Sequence, residues 1–112
     1  MKIYHNPRCS KSRQTLELLE KQGETPEVIR YLDTPPNEAK LKEIVTALGI
    51  KPEDLVRKKE QLFKDNFAGK EFSDGEWIKL LAENPRLIVR PIVIKDGKAV
   101  IGRPPEKVLD IL

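Results

Sequence analysis

The chain contains a single cysteine, Cys9, at the point where the sequence pattern changes from a short strand to a helix. A helix N-terminus carries partial positive charge and unpaired N–H groups, which favour a thiolate over a thiol. Three basic residues, Arg8, Lys11 and Arg13, cluster at the same helix start, where acidic residues would be more stable. The pattern therefore predicts that a thiolate or a bound oxyanion offsets this positive charge.

The thiol at Cys9 has no second cysteine with which to form a disulfide. Dithiol redox enzymes carry their second cysteine three positions after the first, and here that position is Ser12. Cys9 must therefore work alone or form a mixed disulfide with an external thiol. His5, the only histidine, is a candidate for tuning the thiolate or orienting the loop, although it could equally cap the strand end. No metal site is expected, because one cysteine and one histidine do not supply three or four ligands, and the sequence predicts no other bound cofactor.

The composition indicates one soluble domain spanning residues 1–112, with 38% hydrophobic and 35% charged residues. The net charge of +3 is mild, and the aromatic residues are scattered singly, so no nucleic-acid platform is expected. No apolar run approaches the roughly 20 residues that span a bilayer, and the N-terminus does not resemble a signal peptide. A single cysteine, without a membrane span or a signal-peptide pattern, favours a protein of the reducing cytoplasm. No sequence feature requires an oligomer, so a monomer is expected.

The first half of the chain alternates strand and helix patterns. Residues 2–4 and 27–32 are predicted to be strands, and residues 10–22 a helix between them, which implies a parallel β-α-β unit. Thr34 is a good N-cap and Pro35 suits a first helical position, which predicts a helix running to residue 48. Residues 50–72 are weakly periodic and predict one or two short helices.

The second half begins with a helix over residues 73–83, which opens with a capping box from Ser73 to Glu76. Two antiparallel strands follow around a tight turn at Asp96 and Gly97, and Pro104-Pro105 opens a final helix. The order β-α-β, helices, β-β-α is typical of a thioredoxin-like α/β fold: a mixed four-stranded sheet with flanking helices and an inserted helical segment.

Two arginines next to prolines are candidates for the same site as Cys9. Pro91 belongs at a strand start because it cannot donate to the sheet, and in the thioredoxin plan this proline is cis and lies beside the active-site cysteine. Arg90 would then project toward Cys9. Arg103 places a further cation at a helix start, which a bound anion would offset. The charge run around Arg57 indicates by itself only a solvated surface.

Several blocks of sequence, in order along essentially the whole chain, resemble the glutaredoxin-dependent arsenate reductase family. The matching blocks are His5-Asn-Pro-x-Cys9-x-x-Ser-Arg-x-Thr15, Tyr31-Leu-x-x-Pro-Pro36, Leu55-Val-Arg57-Lys58, Arg90-Pro-Ile-Val93, and Arg103-Pro followed by Val108-Leu-Asp-Ile-Leu112.

The resemblance implies an oxidoreductase of arsenic detoxification that reduces arsenate to arsenite. It implies that Cys9 is the nucleophile, that His5 and Ser12 support its thiolate, and that Arg57, Arg90 and Arg103 bind the oxyanion. Paired guanidinium donors match the oxygens of such an anion. The resemblance further implies a covalent arseno-adduct on Cys9, with glutathione as co-substrate and glutaredoxin as the protein partner that resolves the adduct.

Two alternatives remain open from the residues. One is a monothiol oxidoreductase acting on another oxyanion or on a thiol substrate, although Ser10-Lys11 lacks the Gly-Phe of monothiol enzymes that reduce mixed disulfides. The other is a redox-linked regulator that binds RNA polymerase, against which Ser12 weighs because the disulfide switch needs a cysteine there. The phosphatase type of arsenate reductase is excluded, because position 15 is Thr15 and not the arginine that ends a phosphate loop.

Overall fold

The computed structural model describes residues 1–112. The chain contains two compact units: a sheet unit formed by Met1–Thr34 with Arg90–Leu112, and a helical unit formed by Pro35–Val89. In sequence, the helical unit is inserted between the two halves of the sheet unit. The prediction of a single domain over residues 1–112 stays a prediction.

The sheet unit contains four strands, β1 (Lys2–His5), β2 (Glu27–Arg30), β3 (Ile92–Lys95) and β4 (Lys98–Ile101), in the order β2-β1-β3-β4. β1 pairs parallel with β2 and antiparallel with β3, and β3 pairs antiparallel with β4. This confirms the predicted β-α-β unit and the predicted hairpin. The hairpin turn needs positive φ at both of its residues, which Asp96 (51°) and Gly97 (78°) adopt.

Helix α1 (Ser10–Lys21) connects β1 to β2, and a 3-10 helix (Pro105–Ile111) follows β4. The two helices contact each other and share one apolar core with the sheet. The fully buried members of that core are Ile3, Leu19, Val93 and Val108. The final helix is therefore placed as predicted, but it has the tighter 3-10 geometry along its whole length.

The strand register decides what surrounds the carboxyl end of β1. His5, its last residue, is opposite Arg30, the last residue of β2, and Tyr4 is opposite Ile92, the first residue of β3. β2 ends earlier than predicted because the N–H groups of Asp33 and Thr34 both turn back to the Arg30 carbonyl, at 2.9 Å each. The end of β1 thus lies between the end of β2 and the start of β3.

The helical unit contains α2 (Glu38–Leu48), α3 (Gln61–Asn66) and α4 (Asp74–Glu83), with 3-10 helices at Pro52–Leu55 and Pro85–Leu87. α4 packs against α2 and against both 3-10 helices. The predicted capping box is present, since Ser73 and Glu76 each accept a hydrogen bond from the other's backbone N–H. None of the helices in the structure combines the length and apolarity needed to cross a bilayer.

The predicted start of α2 at Thr34 and Pro35 is wrong. Asn37 is the N-cap, and its side-chain oxygen accepts a hydrogen bond from Lys40 N–H at 2.8 Å. Pro35 is followed by Pro36, and a residue before proline is disfavoured in helical conformation, so the helix cannot begin there. Asn37 is the first good capping residue beyond both prolines.

Candidate active site

Cys9 is the N-cap of α1, and a tight turn over residues 6–9 places it there. Its backbone is extended (φ −94°, ψ 122°), and its N–H donates to the Asn6 carbonyl at 3.0 Å. Its carbonyl accepts from Arg13 N–H at 3.0 Å, which is the first hydrogen bond of the helix. Cys9 is 8% exposed, so the sulfur is sheltered at the positive end of α1.

A buried hydrogen-bond network of His5, Ser12 and Asn6 stabilises this turn on its inner side. His5 Nδ1 and Ser12 Oγ are 2.6 Å apart, and Ser12 Oγ also accepts from Asn6 N–H at 3.0 Å. Ser12 is fully buried and His5 nearly so. On the outer side, Arg13 Nη1 donates to the Pro7 carbonyl at 2.9 Å. Ser12, at the position where dithiol enzymes have their second cysteine, therefore connects α1 to β1 and to the turn through hydrogen bonds.

We expect a Ser12→Ala variant to be destabilised by about 1–3 kcal/mol, because it leaves His5 Nδ1 and Asn6 N–H without their shared partner in a buried site. Urea unfolding of the variant against the parent protein measures this loss. Ser10→Ala is the matched control, since Ser10 is exposed at the start of the same helix. Equal stability of the two variants would show that the network does not hold the turn.

Gly102 brings the turn after β4 against α1. Its N–H donates to the Pro91 carbonyl at 2.9 Å, and its carbonyl lies 3.3 Å from Thr15 Oγ1. A Cβ at position 102 would lie 2.7 Å from Thr15 Oγ1 and 3.0 Å from Pro91 Cγ. Only glycine fits this contact without displacement, and Arg103 follows it directly. Both the Arg90–Pro91 and Arg103–Pro104 peptide bonds are cis.

Arg90 and Arg103 form a pair next to this contact, because Arg103 Nη1 donates to the Arg90 carbonyl at 3.2 Å. The Nε of Arg90 is buried and has no hydrogen-bond partner. A buried donor without an acceptor costs about 1–3 kcal/mol, so such groups are uncommon unless a ligand satisfies them. An anion bound beside Arg90 would accept the hydrogen bond that its Nε does not make within the protein.

Six of the seven predicted site residues lie in the sheet unit, and the seventh lies in the helical unit. The six are His5, Cys9, Ser12, Arg90, Pro91 and Arg103. Arg57 is the seventh; its Nη1 donates to the Arg86 carbonyl at 3.1 Å and its Nη2 pairs with Glu60 at 3.2 Å. Sequence reasoning missed Gly102, for which the only local signal is a glycine directly before Arg103.

The pKa of Cys9 lies below its ordinary value. Burial raises the pKa. Hydrogen bonds from the backbone N–H groups of Ser12 and Lys11 and the charges of Arg90 and Arg103 lower it, and together they exceed the effect of burial. The helix start and the two arginines thus outweigh the loss of solvent around the sulfur. The site holds a thiolate more readily than an exposed cysteine does.

The pKa of His5 is also lowered, first by burial and then by the charges of Arg30 and Arg13. The imidazole is therefore neutral at pH 7, and it is not a cation that attracts the thiolate. Through its contact with Ser12, His5 instead helps to hold the turn over residues 6–9 in place. No three histidine, cysteine, aspartate or glutamate side chains come together as a group that could hold a metal ion.

We expect the alkylation of Cys9 by iodoacetamide to have a pH midpoint below that of free cysteine in the same assay. In an Arg103→Ala variant the midpoint moves upward, because a cation that favours the thiolate is removed. Lys107→Ala is the control, since it removes an exposed cation from the helix that follows Arg103. An unchanged midpoint in Arg103→Ala would contradict the electrostatic account of the thiol.

Comparison with known proteins identifies the family of this chain. The sequence model of the ArsC family matches residues 4–111. The chain belongs to the ArsC family. Similar sequences include an uncharacterized protein of Escherichia coli (strain K12), 50% identical over 100% of this chain and 96% of its own length. An arsenate reductase of Haemophilus influenzae is 46% identical over 98% of this chain and 97% of its own.

The structure of an arsenate reductase from Vibrio cholerae superposes with a TM-score of 0.95 at 50% identity, covering 99% of this chain and 96% of that one. The predicted thioredoxin-like α/β fold is thereby confirmed for this ArsC protein, with its mixed four-stranded sheet, flanking helices and inserted helical segment.

Proposed function

We propose that this ArsC protein is an oxidoreductase that reduces arsenate to arsenite through the thiolate of Cys9. The observation that carries the proposal is the buried, unpartnered Nε of Arg90, which belongs to an arginine whose charge lowers the pKa of Cys9. An unpaired hydrogen-bond donor of Arg90 and the nucleophilic sulfur of Cys9 thus belong to the same site. Relatives named arsenate reductase, of which the Haemophilus influenzae protein is one, supply the identity of that anion.

Arg90 and Arg103 bind the arsenate oxygens in this proposal. Guanidinium groups present paired donors that match a tetrahedral oxyanion, and the positive end of α1 adds to the attraction. The same charges stabilise the negative charge that develops on oxygen as arsenic gains a sulfur ligand. We extend the proposal to Arg57 as a third oxyanion ligand, and for Arg57 the support is the sequence resemblance.

The first chemical step forms a covalent adduct. The Cys9 thiolate attacks arsenic, an S–As bond forms, and one arsenic–oxygen bond breaks with release of water after proton transfer. Arsenic remains in its pentavalent state. His5 and Ser12 act in this proposal by fixing the turn that aims the sulfur at the bound anion.

External thiols complete the reaction, because the chain has no second cysteine. Glutathione displaces a second oxygen as water and leaves arsenic bound to two sulfur atoms. A glutaredoxin thiol then attacks the glutathione sulfur; an S–S bond forms, the glutathione S–As bond breaks, and its electron pair reduces arsenic to the trivalent state. Water finally releases arsenite and returns Cys9 as a thiol. We place the protein as a monomer in the cytoplasm, where these thiols are kept reduced.

The proposal is tested by NADPH oxidation in a system coupled through glutathione, glutaredoxin and glutathione reductase. We expect oxidation that requires arsenate and this protein together, and that stops when glutathione or glutaredoxin is left out. Quantifying arsenite against NADPH consumed should give one arsenite for each NADPH, since both changes involve two electrons. A folded protein with an alkylatable Cys9 and no turnover above background would overturn arsenate as the acceptor.

A further inference from the structure

A groove opens on the β2 side of the cysteine turn. Arg90 and Pro91, which directly precede β3, lie on the other side of the turn. The volume of the groove is about 220 Å³, and it is lined by the turn after β1 and by the chain that leaves β2. Arg8, Arg30 and Asp33 supply its charges, and His5 and Leu32 are among its other lining residues. The mechanism described above uses none of these charged groups.

The charges of the groove are two guanidinium groups and one carboxylate. The Arg30 Nε and Asp33 Oδ2 atoms are 3.1 Å apart, with both side chains more than half exposed, so the pair can open to a ligand at little cost. Glutathione carries the opposite set, two carboxylates and one ammonium group. We propose that this groove is the binding subsite for glutathione, with Arg8 and Arg30 on its carboxylates and Asp33 near its ammonium group.

The position of the groove supports this assignment. Its wall includes Pro7 and Arg8, the two residues that precede Cys9, so at most about 7 Å of backbone separates the groove from the nucleophile. Because β1 lies between β2 and β3 in the sheet, the groove and Arg90 flank the cysteine turn from opposite sides. Oxyanion and co-substrate thus reach Cys9 without competing for the same cations.

This subsite rests on the proposed function, because it serves the step in which glutathione attacks the arsenic held on Cys9. In that step the glutathione S–As bond forms, an arsenic–oxygen bond breaks, and water leaves without a change in the oxidation state of arsenic. The groove holds the glutathione backbone so that its sulfur faces the adduct. Exposed leucine at position 32 (40% exposed) gives the methylene groups of the tripeptide an apolar surface.

The test uses a reaction of Cys9 that needs no arsenate. The Cys9 thiolate attacks glutathione disulfide, a mixed disulfide forms between Cys9 and glutathione, and one glutathione thiolate leaves. The rate constant is measured by mass spectrometry for glutathione disulfide and for hydroxyethyl disulfide, which has no charge. The ratio of the two rate constants reports recognition of the glutathione backbone and cancels any change in the reactivity of Cys9 itself.

We expect this ratio to fall about threefold to fivefold in Arg8→Ala and about tenfold or more in the Arg8→Ala, Arg30→Ala double variant. Lys98→Ala is the control for general loss of positive charge, because Lys98 is exposed on β4, the strand farthest from β2. A ratio that stays at the parent value in the double variant, or that falls equally in Lys98→Ala, would overturn the subsite.

The arsenate assay separates this proposal from the proposed function. If both hold, the double variant raises the KM for glutathione and leaves the KM for arsenate unchanged. If the parent protein shows no arsenate turnover but the disulfide ratio falls as expected, the subsite stands and arsenate reduction fails. If arsenate turnover is present and the KM for glutathione is unchanged in the double variant, the subsite is wrong and the proposed function stands.

Discussion

A Cys9→Ser variant is expected to lose arsenate-dependent turnover by at least about 1000-fold, since the variant lacks the group that forms the covalent adduct. The features that lower the pKa of the thiol cannot bring a serine hydroxyl, whose pKa is far higher, into the physiological range. Glutathione also reacts with an arsenic–sulfur adduct that serine cannot form. The coupled NADPH assay, run on parent and variant at equal protein concentration, measures the loss.

The fold of this variant should be unchanged, which makes the loss of turnover interpretable. Serine is a favourable N-cap, and its oxygen can accept from the N–H groups of Lys11 and Ser12 that lie toward the cysteine sulfur. We therefore expect the free energy of unfolding in urea to equal or exceed that of the parent. Turnover retained in a folded Cys9→Ser variant would remove the thiol mechanism.

An Arg90→Lys variant is expected to lose about 10- to 100-fold in kcat/KM for arsenate although its charge is conserved. Lysine cannot present the paired donors of a guanidinium group, and it has no equivalent of the buried Nε. The effect should fall mainly on the KM for arsenate if the Nε donor acts in binding, and on kcat if it acts as charge develops. Steady-state kinetics over a range of arsenate concentrations separates the two.

Stability measurements distinguish binding from a structural role for Arg90. Because its Nε has no partner in the protein, its removal breaks no hydrogen bond, and the free energy of unfolding should not fall more than about 1 kcal/mol below the parent value. Arg86→Lys is the matched control, since Arg86 is an exposed arginine of the helical unit. Kinetics in Arg90→Lys that match those of Arg86→Lys would mean that Arg90 does not handle the oxyanion.

Local signals account for what could be predicted from the sequence. A β-α-β order, an Asp96-Gly97 turn and the Ser73 capping box each depend on residues close together in the chain, and all three are present. The start of α2 was missed although its signal is also local. The residue before a second proline is barred from the helix, and this restriction overrides the N-cap preference of Thr34.

Long-range contacts account for what could not be predicted at the site. The need for glycine at position 102 arises from its contact with Thr15, 87 residues earlier in the chain, and no pattern within either segment reveals it. The unpartnered Nε of Arg90 likewise depends on tertiary packing. The position of Cys9 at a helix start could be predicted because the strand, the helix and the surrounding cations are its immediate neighbours in sequence. For Arg57 the only signal in the sequence is the family resemblance.

The order of the sheet along the chain has a consequence for protein synthesis. Cys9 is made early, whereas Arg90, Arg103 and the strands β3 and β4 follow only after the inserted helical unit. A nascent chain that has reached residue 89 therefore lacks both arginines that lower the pKa of the thiol. Pairing β1 with β3 also closes a long loop, which makes it a slow step of folding. The thiol thus gains its full electrostatic activation only after β3 and β4 have joined the sheet and brought Arg90 and Arg103 to the site.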